Sequence, residues 1–160
     1  MHNFRGYYSK KTSFESIISG MTPKPNLLVI CESHLPFNKQ SKIDGYQSFS
    51  RNRREKSMGG IATSIINSDF RNCLKVGEGS GSNEFIITRH SDFLVPINII
   101  NIYGEQENCT PSNVIKEHWD EIVEEIIKIE ARGEMVVLMG DANKHVGDII
   151  EGNHDKVSNG

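Results

Sequence analysis

Two apolar segments that each end in a carboxylate constrain the fold most strongly. Asn26 to Glu32 (NLLVICE) and Met135 to Asp141 (MVVLMGD) are apolar almost up to their last residue. Continuous apolar runs of this length are typical of strands buried on both faces. The carboxyl ends of such strands are where functional sites of layered α/β folds gather. The pattern therefore predicts a layered protein with acidic side chains at the ends of its strands.

Periodicity and turn residues predict the other elements. A short helix is expected over Lys11–Gly20, with Thr12 and Glu15 as a capping box. A longer helix is expected from Pro111 to Gly133, capped by Thr110. Further strands are predicted at Ile61–Ile66, Glu84–His90 and Pro96–Tyr103, a strand-joining turn at 77–82, and loops with small elements at 33–58 and 142–160.

The longer helix carries a regular apolar stripe. Its members are Ile115, Trp119, Ile122, Ile126 and Ile129, and charged residues occupy most other positions. This pattern is typical of an amphipathic helix that lies on a sheet, so the stripe is predicted to be core. The mixture of helices and strands indicates an α/β or α+β fold, in one domain over residues 1–160.

Composition restricts the class of protein and of partner. Apolar residues make up 36% of the 160 residues and the net charge is −3, which excludes a disordered chain. No apolar run approaches the ~20 residues of a membrane span, so no membrane partner is expected. Residues 1–56 carry ten basic and four acidic side chains, a balance of +6. That excess fits either a polyanion-binding surface or a solvated face.

The two strand-end acids differ in how strongly they indicate chemistry. Glu32 alone is compatible with a simple exposed strand end. Asp141 lies in Gly140-Asp141-Ala142-Asn143, where the glycine permits a sharp turn and Asn143 adds a second polar group. Carboxylate oxygens suit a hard cation such as Mg²⁺, which keeps several waters and needs only one or two carboxylates. Such an ion neutralises phosphate charge and activates water.

The order of these motifs resembles the endonuclease/exonuclease/phosphatase superfamily, the deoxyribonuclease I-like fold. The closest likeness is to the endonuclease domain of non-LTR retrotransposons. The matching residues are Asn3-Phe4-Arg5-Gly6, Glu32 in VICESHL, Gly45-Tyr46, Arg51, Gly59-Gly60-Ile61, Asn101-Ile102-Tyr103 and Gly140-Asp141-Ala142-Asn143. The resemblance implies a four-layer α/β/β/α sandwich of two mixed sheets flanked by helices.

The resemblance also implies a role for each site residue. Glu32 matches the metal-binding Glu, and Asn3 matches an Asn that orients the phosphate and the metal site. Tyr103 matches a Tyr that contacts the scissile phosphate. Asp141 matches the Asp that positions or deprotonates the attacking water, and Asn143 the Asn that hydrogen-bonds the phosphate in the transition state. The implied cofactor is Mg²⁺, with Mn²⁺ as an alternative, and the implied partner is DNA. No stable protein partner is inferred, and a nuclear location follows only from the resemblance.

The sequence departs from the family pattern in two places. Ala142 replaces the usual aromatic residue, which should alter packing more than chemistry. The family's Ser-Asp-His segment, which supplies the catalytic His, has no counterpart before Gly160, and His145 and His154 are better explained as loop residues. The chain is therefore expected to match the N-terminal two-thirds of such a domain and to expose an apolar sheet face and strand edges.

Three functions follow from these expectations. The first is a metal-dependent DNA endonuclease domain of a retroelement. The second is a catalytically inactive remnant that binds nucleic acid, which the absent His-bearing segment favours. The third is a phosphatase or phosphodiesterase of the same fold that acts on another phosphoester. The basic stretch 39–56 favours a nucleic acid as the substrate.

Overall fold

A computed structural model describes residues 6–52, 60–66, 72–104 and 110–143 of the chain. These residues form two helices and seven strands. In chain order they are α1 (Tyr7–Gly20), β1 (Leu27–Cys31), β2 (Tyr46–Arg51), β3 (Ile61–Ile66), β4 (Cys73–Glu78), β5 (Glu84–His90), β6 (Ile97–Tyr103), α2 (Ser112–Glu130) and β7 (Met135–Asp141).

Helix α1 begins four residues earlier than its sequence pattern predicted. Gly6, in left-handed backbone conformation, precedes its first turn, and no side chain caps it. The capping box of Thr12 and Glu15 is therefore wrong, because both residues lie inside the helix. The extension has a tertiary cause: the buried ring of Tyr7 belongs to the apolar cluster between α1 and the sheet that contains β1, and its hydroxyl donates to the Lys42 carbonyl at 3.3 Å.

Strands β1, β2 and β3 form one sheet, called sheet A. Strand β3 lies in the middle, antiparallel to β1 on one side and to β2 on the other. Strand β2 lies inside the region predicted as loop with small elements. The carboxyl end of β1 is level with the amino end of β3, since Cys31 pairs with Ile61.

Strands β4 to β7 form a second sheet, sheet B, in the order of the chain. Strands β4, β5 and β6 pair antiparallel with one another, whereas β7 runs parallel to β6. A parallel pair needs a long crossover, and α2 provides it. Pro111 precedes α2 and no side chain caps it, so the prediction of Thr110 as the cap is wrong.

Three apolar clusters hold the layers together. One joins α1 to sheet A through Phe14, Ile18 and Ile30. A second joins α2 to sheet B, where Ile122 and Ile129 pack with Phe85, Ile87, Ile100 and Ile102. A third lies between the sheets and contains Cys31, Ile61, Ile86 and Tyr103.

The order of layers is therefore α1, sheet A, sheet B, α2, which confirms the predicted α/β/β/α sandwich. Sheet B is mixed as expected. The three described strands of sheet A are all antiparallel, because no described helix connects them as a parallel crossover would require. Neither described helix is long and apolar enough to cross a membrane.

Candidate functional site

Three polar side chains lie side by side where β6 and β7 of sheet B end. Tyr103, the last residue of β6, pairs with Glu84 on one side and with Asp141 on the other. Directly paired residues point to the same face of a sheet. Tyr103 belongs to the cluster between the sheets, so this face looks toward sheet A. The row places two carboxylates next to a phenol at the interface of the two sheets.

Glu32 reaches this row from sheet A. It directly follows β1, and its Oε1 accepts a hydrogen bond of 2.6 Å from the Tyr103 hydroxyl. Burial, followed by this bond to the carboxylate, raises the pKa of Tyr103 above its usual value. The phenol therefore stays protonated as a donor at neutral pH. The bond joins the two sheets at the candidate site.

Asp141 and Asn143 form a fixed turn at the end of β7. The Asn143 backbone N–H donates to Asp141 Oδ1 at 3.0 Å, and the Asn143 side-chain amide donates to the Gly104 carbonyl at 2.6 Å. Gly104 N–H in turn donates to the Asp141 carbonyl at 2.7 Å. The loop after β6 and the loop after β7 are thus tied together, and both side chains are held beside Tyr103.

The two carboxylates at the strand ends lie on the same side of the molecule. Burial raises the pKa of the Cys31 thiol to about 11, and the negative charges of Asp141, Glu32 and Glu84 add to this rise. The Cys31 sulfur also lies 3.4 Å from the Ile102 carbonyl oxygen. Cys31 is therefore a buried core thiol close enough to three acids to feel their charge.

Backbone strain is concentrated around this site. Among the described residues other than glycine, positive φ angles occur at Glu32 (51°), His34 (51°) and Asn143 (49°). All three follow the end of a strand that contributes to the site. Left-handed backbone is unfavourable for such residues and tends to persist at functional sites. The conformation turns the chain sharply after β1 and after β7.

Two sequence predictions fall wholly or partly outside the described residues. Asn3 lies outside the described residues. The first described residue, Gly6, donates its backbone N–H to the Glu32 carbonyl at 3.0 Å. Within the basic stretch 39–56, Arg53, Arg54 and Lys56 also lie outside the described residues. Arg51 is described, and its guanidinium donates to the Gly81 carbonyl at 2.9 Å.

Glu84 is the site residue that sequence reasoning missed. It was predicted only as the first residue of a strand, yet it is buried and both carboxylate oxygens lie within hydrogen-bond distance of the Gly60 N–H. A polar residue before an apolar run is common at a strand start, so the sequence contained no clear signal.

The donor set suits a hard cation better than a soft one. Within the described ranges, no group of three or more His, Cys, Asp or Glu side chains stands close enough to hold a metal by itself. Mg²⁺ does not need such a cage, because it binds through one or two carboxylates plus water and substrate phosphates. Glu32 is the described residue that fits this role, with Asp141 nearby.

Comparisons with known proteins add the fold family. No protein-family profile and no curated protein sequence matches the chain. Solved structures do match. The 3′ phosphatase NExo from Neisseria, bound to a product DNA hairpin, superposes with a TM-score of 0.61 and 18% identity over 88% of this chain and 55% of that one.

Two further structures have similar scores. The endonuclease domain of TRAS1, a telomere-specific non-LTR retrotransposon, gives a TM-score of 0.58 with 16% identity, over 91% of this chain and 59% of its own. A truncated TDP2 from Caenorhabditis elegans gives 0.58 with 14% identity, over 89% and 58%.

These structures share one architecture. The chain therefore has the fold of the endonuclease/exonuclease/phosphatase superfamily, as the sequence resemblance predicted. It spans somewhat more than half the length of the structures that it matches.

Proposed function

We propose that the chain is part of a metal-dependent phosphodiester hydrolase that acts on DNA, related to the endonuclease domains of retroelements. The observation that carries this proposal is the bond between Tyr103 and Glu32, next to the fixed Asp141–Asn143 turn. It brings together, from two sheets, the residue types that in-line attack on a phosphodiester needs: an acid for a cation, an acid for water and neutral donors for phosphate oxygens.

The roles of the residues follow from their surroundings. A bound Mg²⁺ would supply positive charge against the phosphate oxygens. Glu32 would hold the ion and Asp141 would orient and deprotonate the attacking water. Tyr103 has a single O–H, which it gives to Glu32 here, so it can donate to a phosphate oxygen only by exchanging that bond. The Asn143 amide keeps a second N–H that can donate to a phosphate oxygen. Asn3 is proposed to orient the phosphate and the ion, on the resemblance alone.

DNA is the proposed substrate for two reasons. One matching structure is an endonuclease domain of a non-LTR retrotransposon, and another was solved with a DNA hairpin. In this chain, the stretch 39–56 is basic, as a phosphate-backbone contact requires. The retroelement origin and the choice of Mg²⁺ over Mn²⁺ belong to the proposal.

Two alternatives each have a specific observation in their favour. The basic stretch 39–56 would by itself also suit a nucleic-acid-binding module without catalysis. A matching structure described as a 3′ phosphatase supports hydrolysis of a different phosphoester on the same fold.

Nicking of supercoiled plasmid in Mg²⁺ or Mn²⁺ tests the proposal. Asp141→Asn should lower the rate about 10²–10⁴-fold, the contribution typical of a general base. Glu32→Gln should lower the affinity for the ion, so a higher ion concentration should be needed for half-maximal nicking. Glu130→Gln is the control, since Glu130 is an exposed acid at the end of α2, outside the site.

The alternatives give different results in the same experiment. DNA binding without cleavage in either ion would establish the inactive module instead. Release of phosphate from a 3′-phosphorylated oligonucleotide, without nicking, would establish the phosphatase. Activity that is unchanged in both Glu32→Gln and Asp141→Asn would refute the site.

A further inference from the structure

Glu84 is a buried carboxylate that the proposed chemistry does not use. Only 2% of its surface is exposed. Carboxylates are rarely buried unless hydrogen bonds compensate the loss of water. The Gly60 backbone nitrogen lies 3.3 and 3.2 Å from its two oxygens. Glu84 therefore reaches from sheet B to the residue that precedes β3, the central strand of sheet A.

Gly60 connects Glu84 to Ser33, the residue that follows Glu32. Its carbonyl accepts a 2.8 Å hydrogen bond from the Ser33 N–H, so its two peptide groups are held by different sheets. Gly60 has a φ of +80°, and a Cβ there would lie 2.9 Å from the Ser33 hydroxyl oxygen. No other residue type fits between the two partners without moving one of them.

The contacts close into a ring. Ser33 is bonded covalently to Glu32, Glu32 accepts the Tyr103 hydrogen bond, and Tyr103 is the direct cross-strand partner of Glu84. Glu32 has left-handed backbone, so its direction depends on how its neighbours are held. The ring fixes that direction from both sides.

We propose that Glu84 is a positioning residue: by holding the Gly60 amide it fixes Ser33 and so keeps the Glu32 carboxylate against Tyr103. The proposal rests on the proposed function only where it extends to ion binding. Glu84 itself touches neither ion nor substrate.

The test uses the full 160-residue chain and two variants that each remove one negative charge. Glu84→Gln keeps the side-chain volume, so it preserves packing while weakening the bond to Gly60. Glu130→Gln is the control, since it removes an exposed acid at the end of α2, away from Gly60 and Glu32. NMR at pH 7 without metal measures the chemical shifts of the Gly60 amide, the Glu32 carboxyl carbon and the Tyr103 ring. A titration with Mn²⁺ measures the affinity for the ion.

In Glu84→Gln, the Gly60 amide proton should move upfield and the Glu32 and Tyr103 signals should move with it. Mn²⁺ affinity should fall about tenfold or more, as for groups that orient a metal ligand. In Glu130→Gln, all of these should stay at the parent values.

The outcomes separate this proposal from the proposed function. If the Gly60 signal moves while Glu32 and Tyr103 do not, Glu84 positions nothing at the site and the inference is wrong. Equal shifts in the two variants would also overturn it, because a general charge effect would then suffice. If the three signals move together but the parent binds no ion, the positioning role stands and the metal-dependent function falls.

Discussion

Gly140 illustrates how neighbouring backbone dictates a residue type. The sequence suggested that this glycine permits a sharp turn before Asp141. The structure gives a stronger reason: its φ is +137°, and a Cβ there would lie 2.0 Å from the carbonyl oxygen of Ile102, its partner on β6. The glycine therefore lets two parallel strands approach closely just before the site.

Replacing Gly140 by alanine should destabilise the protein by more than the ~1–3 kcal/mol typical of backbone strain, because the clash adds to it. Gly20 offers a matched control. It ends α1 with open space around it, so Gly20→Ala should be neutral or stabilise by about 0.5–1 kcal/mol. Urea unfolding of both variants measures the difference. Similar stabilities would contradict the close approach.

The candidate site shows what single residues can and cannot reveal. Glu32 and Asp141 were predicted because each comes at the end of an apolar strand, and Asn143 because it follows Asp141. Tyr103 was predicted from the family resemblance alone. The hydrogen bond between Tyr103 and Glu32 was not predicted, because it depends on how two sheets pack. Glu84 was missed for the same reason: its partner Gly60 belongs to the other sheet.

At the scale of elements, α2 was predicted best. Its apolar stripe has helical spacing and its members pack on sheet B as expected. Strand β2 was hardest to predict, since YQSFSR is polar and only half-buried. Its position follows from pairing with β3, which local sequence does not encode. The helix boundaries failed where tertiary contacts, such as that of Tyr7, outweighed local capping signals.

The orientation of α2 can be tested with adjacent residues. Ile122 is 1% exposed and Val123 is 50% exposed. Ile122→Ala should lower the free energy of unfolding by about 2–5 kcal/mol, because it leaves a cavity against sheet B. Val123→Ala should change it by less than about 0.5 kcal/mol. Chemical unfolding of the two variants measures both, and comparable losses would show that the helix faces another way.

The connection between α2 and β7 is held by an ion pair. Arg89 donates to Glu134 Oε1 at 2.7 and 2.9 Å, and the Asn98 amide donates to Oε2 at 2.9 Å. The bonds from Arg89, followed by that from Asn98, lower the pKa of Glu134 from 4.5 to about 2. Folding therefore gains from the ionised carboxylate above pH 4.5 and loses this gain as the pH falls toward 2.

Glu134→Gln should accordingly destabilise the protein at pH 7. The difference in free energy of unfolding between this variant and the parent should be smaller at pH 3. Unfolding by urea at the two pH values measures it. Glu130→Gln, an exposed change at the end of the same helix, should show no such narrowing. A gap that is constant with pH would mean that the charge of Glu134 contributes nothing.

At the scale of the whole molecule, β7 is the exposed edge of sheet B. Its described ladder partner is β6, and Val137 and Leu138 are 39% and 44% exposed. The prediction that Met135–Asp141 is buried on both faces is wrong, because β7 is an edge among the described strands and most of its apolar side chains are exposed or half-buried. Such edges favour pairing with other chains.

Val137→Lys should therefore reduce self-association of the chain. Removing about 1.5 kcal/mol of apolar burial from an edge-to-edge contact corresponds to about a tenfold weaker association. Val123→Lys is the control, because a helix surface cannot add a strand. Sedimentation velocity over a range of concentrations measures both. Equal reductions of self-association in the two variants would indicate non-specific association through apolar surface rather than pairing of strand edges.

The left-handed conformations of Glu32, His34 and Asn143 have a consequence for evolution in the laboratory. Glycine adopts that backbone without penalty, so a chain selected only for heat resistance would gain from glycine wherever this relief exceeds the loss of the side chain's hydrogen bonds. At Glu32 and Asn143, each such gain would remove a polar side chain from the candidate site. Durability and the arrangement of polar groups there are thus in direct competition.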